Sequence, residues 1–424
     1  MIELENNITK KNIEQARNAI EFEQRAEIEH KLVPKHNDRI TQLFKAKARP
    51  IEQLYLSTPA DEFSLRLRCE YTEEGPLYTA TLKDRGELSN GALKRTEITT
   101  PITEAAYRHY QERGAPSLRK LRAEPLEGVT VDFHDDSLTP IIVEVEHTDA
   151  EQRAILKEAI ETLSETTLTD YSGSPLVESE SLAYRNNKQE YSPRTPESLE
   201  SFAHRVVGEM VAQYVSGRHQ VVAGLTGMSG SGKTTVTKAI SEHLAELYGE
   251  AYTPIILSTD DYHFGKNALE QRYGTPYTEW DDAKTYNTAE LAEDLRRTAE
   301  GIPLMRRSFD FETEEPVLGE IVAPSPFIIL EGLYASSKDL DSVRSLHFEL
   351  PTSIATSIGR DVRRLVIESR ANRVFPTPES RFRYQIETAL PLYISLERPP
   401  RNTFSASARP MAERAFMLHQ LQEQ

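Results

Sequence analysis

The 424 residues carry 50 Lys and Arg against 67 Asp and Glu, a formal charge of -17. That balance opposes non-specific attraction to nucleic acid or to an anionic membrane surface, so any phosphate site must be built locally. Cys69 is the only cysteine, which excludes an intramolecular disulfide, argues against a thiolate zinc site and fits a reducing cytoplasm. No apolar run approaches the roughly 20 residues of a membrane helix, and the start MIELENNITKKN is polar and mixed in charge. A soluble, unprocessed protein with neither nucleic-acid nor membrane partner is expected, with a length that suggests two or three domains of roughly 100–200 residues, two being the starting expectation.

From about residue 20 to residue 185 the chain reads as short alternating stretches with turn signals. YTATLKD and ALKRTEI, joined through Ser89-Asn90-Gly91, predict an antiparallel β domain. Strand alternation puts Glu27, Glu29 and Lys31 on one face, with Ile28, His30 and Leu32 on the other. It likewise pairs Arg66 with Arg68 opposite Leu65, Leu67 and Cys69, and Glu144 with Glu146 opposite Ile141, Val143 and Val145. Thr79, Thr81 and Lys83 share a face, as do Arg95 with Glu97 and Lys120 with Arg122, while Asp132 faces away from Val131 and Phe133. Such alternation usually means charged sides turned to water. Here the faces are dominated by like-charge pairs, which repel unless ligands or metal ions compensate them. Acid pairs suit a divalent cation, magnesium or manganese, and basic pairs suit the triphosphate or polyphosphate compound it bridges to.

This order of motifs resembles the CYTH, or triphosphate tunnel, family over roughly Arg25 to Tyr184. Its hallmark E-x-E-x-K appears as EIEHK, followed by R-L-R, T-L-K, R-x-E, K-L-R, Asp132 and the late E-V-E. The resemblance implies an eight-stranded antiparallel barrel whose charged interior binds triphosphates and, in most members, hydrolyses them with a divalent metal. Glu27, Glu29, Asp132, Glu144 and Glu146 would serve the metal; Lys31, Arg66, Arg68, Lys83, Arg95, Lys120 and Arg122 would serve the phosphates. Thr99 departs from the pattern, since many relatives carry a further glutamate there, so metal occupancy could be altered.

Between Tyr184 and Leu199 apolar periodicity disappears, and residues 186–198 are read as a linker before a second domain, 199–424. There QVVAGL, TPIILS and PFIILEG alternate with helical stretches, the pattern of an α/β parallel sheet covered on both faces. GMSGSGKTT follows the strand Gln220–Leu225 and opens a helix in which Val236, Ile240, Leu244 and Leu247 recur on one face. This is a P-loop for ATP: Gly227, Ser229, Gly230, Ser231, Gly232 and Thr235 cradle phosphates, Lys233 reaches the β- and γ-phosphates, and Thr234 ligates Mg2+. The strand Pro254–Ser258 leads to Asp260, a candidate base, although Asp260 or Asp261 could instead cap a helix. The strand Phe327–Leu330 leads to Glu331, a candidate for the metal or its water, with capping again the alternative. Arg360, Arg363, Arg364, Arg370 and Arg373 form either a lid over the nucleotide or a solvated basic helix face paired with Asp361 and Glu368. The first ~20 residues and the tail from about Ser405 read as polar helical or partly ordered ends.

The order P-loop, STDDYHF, EWDDAKTYN, RRSFDFET, ILEGLY, GRDVRR resembles the uridine kinase and phosphoribulokinase family from about Gln220 to Arg373. The resemblance implies Asp260 as base, Asp281 as an acceptor-holding acid, Phe309 packing near the nucleoside and Glu331 as the strand-end acid. Uridine kinases follow the aromatic segment with a His and an Arg near the acceptor, whereas this chain has Glu312-Thr313-Glu314-Glu315-Pro316. That places uridine in doubt as the small hydroxyl acceptor. Three accounts of the whole chain follow: a kinase joined to a tunnel that hydrolyses or senses triphosphate; a tunnel hydrolase with a regulatory P-loop domain; or a tunnel that only binds.

Overall fold

The computed structural model describes residues 26–89, 92–135, 140–187, 197–367 and 375–396. The two polar ends, the Asn90-Gly91 turn, Arg370 and Arg373 lie outside the described residues, as does the side chain of Glu27. Contacts group the chain into two compact units, Met1–Thr195 with Ser353–Glu387 and Pro196–Thr352 with Thr388–Gln424. The segment Ser353–Glu387, assigned by sequence to the second domain, therefore clusters with the first unit.

The first unit is built on ten strands: β1 (Ala26–Pro34), β2 (Arg49–Tyr55), β3 (Phe63–Thr72), β4 (Gly75–Asp84), β5 (Glu87–Ser89), β6 (Ala92–Pro101), β7 (Ser117–Leu126), β8 (Val129–His134), β9 (Ile141–Glu146) and β10 (Leu168–Asp170). Hydrogen bonding runs β1-β9-β8-β7-β2-β3-β4-β6 and returns from β6 to β1. These eight strands close an antiparallel barrel, with β10 added to β1 and β5 to β6. Closure removes the free edges that charged strands would otherwise present to other chains. The predicted hairpin is present as the β4–β6 pairing, Lys83 opposite Glu97, with the short β5 between them in sequence.

Alternation in this barrel is inverted relative to an ordinary core. In β3 the residues Phe63, Leu65, Leu67 and Cys69 are buried, while Ser64, Arg66 and Arg68 line the interior cavity. The apolar sides point outward and are covered: Leu32, Phe133, Ile141, Val143 and Val145 pack with Ile40 and Ile160 of the helices Asp38–Phe44 and Ala150–Ser164. Thr103 caps the helix Glu104–Glu112 by accepting from the Ala106 amide, and Asp149 caps Ala150–Ser164 by accepting from the Gln152 amide. The helices Ile354–Ile367 and Pro378–Tyr384 belong to this unit as well. Arg360 pairs with Glu62 at 2.7 Å, the Glu62 amide donates to Thr356 Oγ1 at 3.2 Å, and the Tyr110 hydroxyl donates to the Ile386 carbonyl at 2.7 Å.

The second unit carries a parallel sheet of β11 (Val221–Thr226), β12 (Ile255–Ser258), β15 (Phe327–Gly332) and β16 (Leu346–Glu349), in the order β12-β15-β11-β16. A separate antiparallel pair joins β13 (Leu304–Asp310) to β14 (Glu315–Val322). Both faces of the sheet are apolar, as a parallel sheet requires. Val221, Ala223 and Leu225 pack under the helices Leu199–Val215 and Lys233–Tyr248, while Val222, Ile328 and Leu330 pack against Leu291 and Leu295 of the helix Thr288–Ala299. Within the helix Lys233–Tyr248 the buried stripe is Val236, Ile240, Leu244 and Tyr248. The expected Leu247 is instead 46% exposed, because the 3.6-residue period carries the stripe from 244 to 248. No helix among the described residues is long and apolar enough to cross a membrane.

Candidate phosphate-binding sites

The barrel interior encloses a cavity of about 180 Å³ whose walls include Glu29, Lys31, Arg66, Arg68, Lys83, Arg95, Arg122, Glu144 and Glu146, all named from the sequence. Register explains the convergence: Glu29 lies opposite Glu146 and Lys31 opposite Glu144 across β1 and β9, and Lys83 opposite Glu97 across β4 and β6. Glu27 is opposite Arg95 across β1 and β6. Carboxylate oxygens of Glu29, Glu144 and Glu146 lie within 4.8 Å of one another, a set of hard oxygen donors that suits Mg2+ or Mn2+. Their surroundings are cationic. Glu29 pairs with Arg95, and Lys31 Nζ lies 3.0 Å from Glu178, 3.7 Å from Glu29 and 3.8 Å from Glu144.

Two residues expected in the site take a different place. Asp132 and Lys120 are almost fully buried and do not line the cavity; Lys120 Nζ lies 2.5 Å from Asp132, which also accepts two bonds of 2.6 Å from Arg122. Arg122 reaches on to Glu144 at 2.6 Å, so Asp132 holds the guanidinium that lines the cavity. Burial works against the Asp132 carboxylate, but Arg122 and Lys120 outweigh it and hold its pKa down to about 2. Glu144 is depressed in the same way, chiefly by Arg122 and Lys120 against its burial. Thr99, the departure from the tunnel pattern, donates to Glu97 at 2.9 Å and bonds Thr81 at 3.0 Å.

Two observations point to an anion. Arg66 and its burial together push the Arg68 pKa down to about 10, the signature of two guanidinium groups held closer than they would choose. The Nε atoms of Arg66, Arg68 and Arg95 are buried with no hydrogen-bond partner among the described residues. Sequence reading missed Tyr55, Arg85, Glu178 and Glu180, which also line the cavity. Arg85 pairs with Glu180 at 2.6 Å, and Ser57 donates to the same carboxylate. Glu178 and Glu180 lie at the start of the helix Ser179–Asn186, where no strand periodicity marks which side faces inward.

In the second unit the P-loop follows β11, as its motif requires. Gly230 and Gly232 have φ of 79° and 95°, and a Cβ at Gly232 would come within 2.8 Å of Leu199 Cδ1, so the loop needs glycine there twice over. Lys233 Nζ donates to the carbonyls of Gly227 and Met228 at 2.9 and 3.1 Å. Thr352 Oγ1 donates to the Ser231 carbonyl at 2.6 Å, pinning the loop from the end of the sheet. Ser229, Thr234 and Thr235 are exposed.

Asp260 and Glu331 lie at the C-terminal ends of β12 and β15, paired as Ser258 opposite Glu331. A Cβ at Gly332, φ 140°, would collide with the Thr259 side chain, whose own Cβ would lie 2.8 Å away, so this strand end has room only for glycine beside Thr259. Burial raises the pKa of both acids; Lys233 opposes the rise in each case, and for Glu331 the neighbouring Asp260 and Asp261 add to it. Glu331 Oε2 is buried with no hydrogen-bond partner among the described residues. Asp261, also raised by burial, accepts from the Phe309 amide at 3.2 Å and so ties β13 to this corner.

Beside these acids stands a nest of rings. Phe309 lies 5.1 Å from His263 and 6.1 Å from Trp280, and His263 lies 4.1 Å from Tyr286. Asp281 acts on His263, although burial dominates and lowers the His263 pKa to about 4. The Tyr334 hydroxyl donates to the Asp281 carbonyl at 2.7 Å. The sequence singled out Phe309 and Asp281; His263, Trp280 and Tyr286 join them only through folding. Arg360, Arg363 and Arg364 belong to the helix Ile354–Ile367 of the first unit.

Residues 222–354 match the model of the phosphoribulokinase / uridine kinase family. This segment is a P-loop domain of that family. Uridine kinase of Alkaliphilus metalliredigens is 34% identical over 117 residues, 27% of this chain and 52% of the relative. Uridine kinase of Bacillus subtilis is 26% identical over 204 residues, 46% of this chain and 85% of the relative. The chain thus spans about half the length of the Alkaliphilus relative and of a Borrelia garinii uridine kinase, 50%. Among solved structures, HpAC1 of Hippeastrum, described as having a dominant triphosphatase activity, is 18% identical with a TM-score of 0.28, covering 39% of this chain and 98% of its own.

Proposed function

We propose that the protein handles phosphate at two sites, transferring the γ-phosphoryl group of ATP to a small hydroxyl acceptor in the kinase-family domain and binding or hydrolysing a triphosphate in the barrel. The observation that carries the first part is the P-loop with Lys233 seated at its helix start, beside paired strand ends that carry Asp260 and Glu331, the latter with a buried, unpartnered carboxylate oxygen. Lys233 would hold the β- and γ-phosphates, and Asp260 would orient the acceptor hydroxyl and take its proton. As the acceptor oxygen bonds to the γ-phosphorus, the bond to the β–γ bridging oxygen breaks and ADP leaves. Thr234 and Glu331 would hold Mg2+, a fit supported by the unpartnered, buried Glu331 oxygen, and the ion would neutralise charge on the phosphates. A base with a raised pKa loses its activity on acidification sooner than an ordinary carboxylate would.

The rings of Phe309, His263, Trp280 and Tyr286 favour a flat acceptor with Asp281 beside it. Uridine is the family-based candidate, weakened by the acidic segment after Phe311. Glu314 pairs with Lys266 at 2.7 Å and Glu315 accepts from the Asn267 amide at 2.8 Å, so both acids serve the start of the helix Lys266–Tyr273.

In the barrel, Glu29, Glu144 and Glu146 would hold the divalent ion, while Lys31, Arg66, Arg68, Lys83, Arg95 and Arg122 would hold phosphate oxygens. A second reading, tunnel hydrolysis with a regulatory P-loop domain, draws support from the same altered acidic segment. Incubating the protein and magnesium with ATP, tripolyphosphate and a nucleoside panel, followed by phosphorus NMR, separates the two. A phosphorylated nucleoside is expected. Orthophosphate and pyrophosphate from tripolyphosphate, with every nucleoside unchanged, would favour the second reading.

A further inference from the structure

Away from both phosphate sites, the helices Leu199–Val215 and Lys233–Tyr248 lie side by side and bring three metal-ligating side chains together. Glu200 and His204 are one turn apart on the first helix, and His243 comes from the second. His204 Nε2 lies 3.8 Å and His243 Nε2 3.7 Å from the same Glu200 oxygen, and the potential ligand atoms all fall within 4.8 Å of one another. The two imidazoles are stacked, with centroids 3.9 Å apart and planes 24° from parallel, an arrangement that aims both Nε2 atoms at one carboxylate. His243 Nε2 is buried with no hydrogen-bond partner among the described residues.

Carboxylate and imidazole in this ratio form a borderline donor set, which favours zinc-class transition metals over magnesium. At a Zn–N length of about 2.0–2.1 Å, tetrahedral ligands stand about 3.3 Å apart. The two Glu200–His separations, 3.8 and 3.7 Å, need to shorten by about 0.4–0.5 Å, and turning both Nε2 atoms onto one ion then gives three protein ligands with a fourth position for water. Exposure of Glu200 and His204 provides an entry path from solvent.

We propose that Glu200, His204 and His243 form a transition-metal site, zinc in class, that staples the first helix of the second unit, Leu199–Val215, to the helix that opens from the P-loop. The staple has a mechanical consequence. Leu199, the residue before Glu200, rests against Gly232, the P-loop glycine that precedes the helix Lys233–Tyr248, so a metal fixing Glu200 to His243 also fixes the Leu199 side chain against the loop. Metal binding should accordingly stabilise the fold and bear on the conformation in which the loop meets nucleotide.

The test is a titration of the full-length protein with Co2+ alone, in excess magnesium to fill oxygen-only sites, followed by competition with Zn2+. The wild type is expected to show visible absorption of a cobalt ion with nitrogen ligands, saturating at one equivalent and erased by Zn2+. His204→Ala and His243→Ala should each weaken it at least tenfold, and the double variant should abolish it. Zn2+ should raise the melting temperature of the wild type but not of the double variant. His204→Gln, conservative in size at an exposed position, guards against a misfolded variant. If the double variant keeps the wild-type cobalt spectrum, or the wild type shows no such spectrum, the proposal is overturned.

Discussion

The two units would hold phosphate, as proposed, in opposite ways. The kinase-family domain uses backbone: a loop with two left-handed glycines, the start of a helix and one lysine, with two acids held nearby at strand ends. The barrel uses side chains projected from strands of every orientation, and its cations are already engaged with its acids, Arg95 with Glu29, Arg122 with Glu144 and Asp132, Lys31 with Glu178. A backbone cradle needs no counter-charge when empty. A lattice of buried charges does, because an isolated buried ion is strongly disfavoured. The proposed anion binding in the barrel would therefore displace carboxylates from Arg and Lys, and a divalent ion that took up Glu29, Glu144 and Glu146 would make that displacement easier. Metal and polyphosphate should bind there cooperatively, whereas the P-loop should engage phosphate with little rearrangement of charge.

The comparison can be broken at several points. The largest effect is expected from Asp260→Asn, which should lower phosphoryl transfer by about 10²–10⁴-fold and leave triphosphate chemistry in the barrel untouched. Retention of most of the transfer would reduce Asp260 to a turn residue. Glu29→Gln with Glu146→Gln should lower metal-dependent hydrolysis of tripolyphosphate by at least about 100-fold, as loss of direct ligands exceeds the 10–100-fold typical of their supporting partners. Next comes acid stability. The folded pKa of His263 is near 4 against 6.5 in the unfolded chain, so its buried neutral ring contributes stability that is fully present above pH 6.5 and lost as pH falls toward 4. His263→Phe should remove up to about 3 kcal/mol of that acid sensitivity, read by denaturant unfolding at neutral and acid pH. An unchanged pH dependence would show that the ring titrates normally. Arg66→Ala should weaken tripolyphosphate binding about tenfold, the loss of one charge-assisted bond, measured by calorimetry with and without magnesium. The smallest effect is expected at Arg360. Its half-exposed pair with Glu62 contributes about 0–1 kcal/mol, so Arg360→Ala should change phosphoryl transfer by less than about threefold; a larger loss would support the arginine-lid reading.

What the sequence disclosed follows the range of the interactions involved. The P-loop is local, and its glycines, lysine and following helix can be read in order. The barrel was legible because period-two alternation with charge on one face is written into each strand, and nine of the twelve residues assigned to metal or phosphate line one cavity. Which charges quench one another depended on register: only the placement of Arg122 opposite Asp132 explains why Asp132 supports an arginine and does not line the cavity. Glu178 and Glu180 come from a helix start, and the ring nest around Phe309 from three separate segments, so neither had a periodic signal to follow. The helix Ile354–Ile367 shows the same limit from the other side. The sequence read it as a helix carrying a cluster of arginines but could not name the surface it covers, and the contacts group it with the first unit.

The most direct test of two independent phosphate sites is phosphorus NMR on the wild type, Lys233→Ala and the Glu29→Gln/Glu146→Gln double variant, each given ATP, a responsive acceptor, tripolyphosphate and magnesium. Lys233→Ala should lose transfer to the acceptor and keep tripolyphosphate hydrolysis, and the double variant should show the reverse. Loss of both reactions in either protein, or of neither in both, would contradict the account.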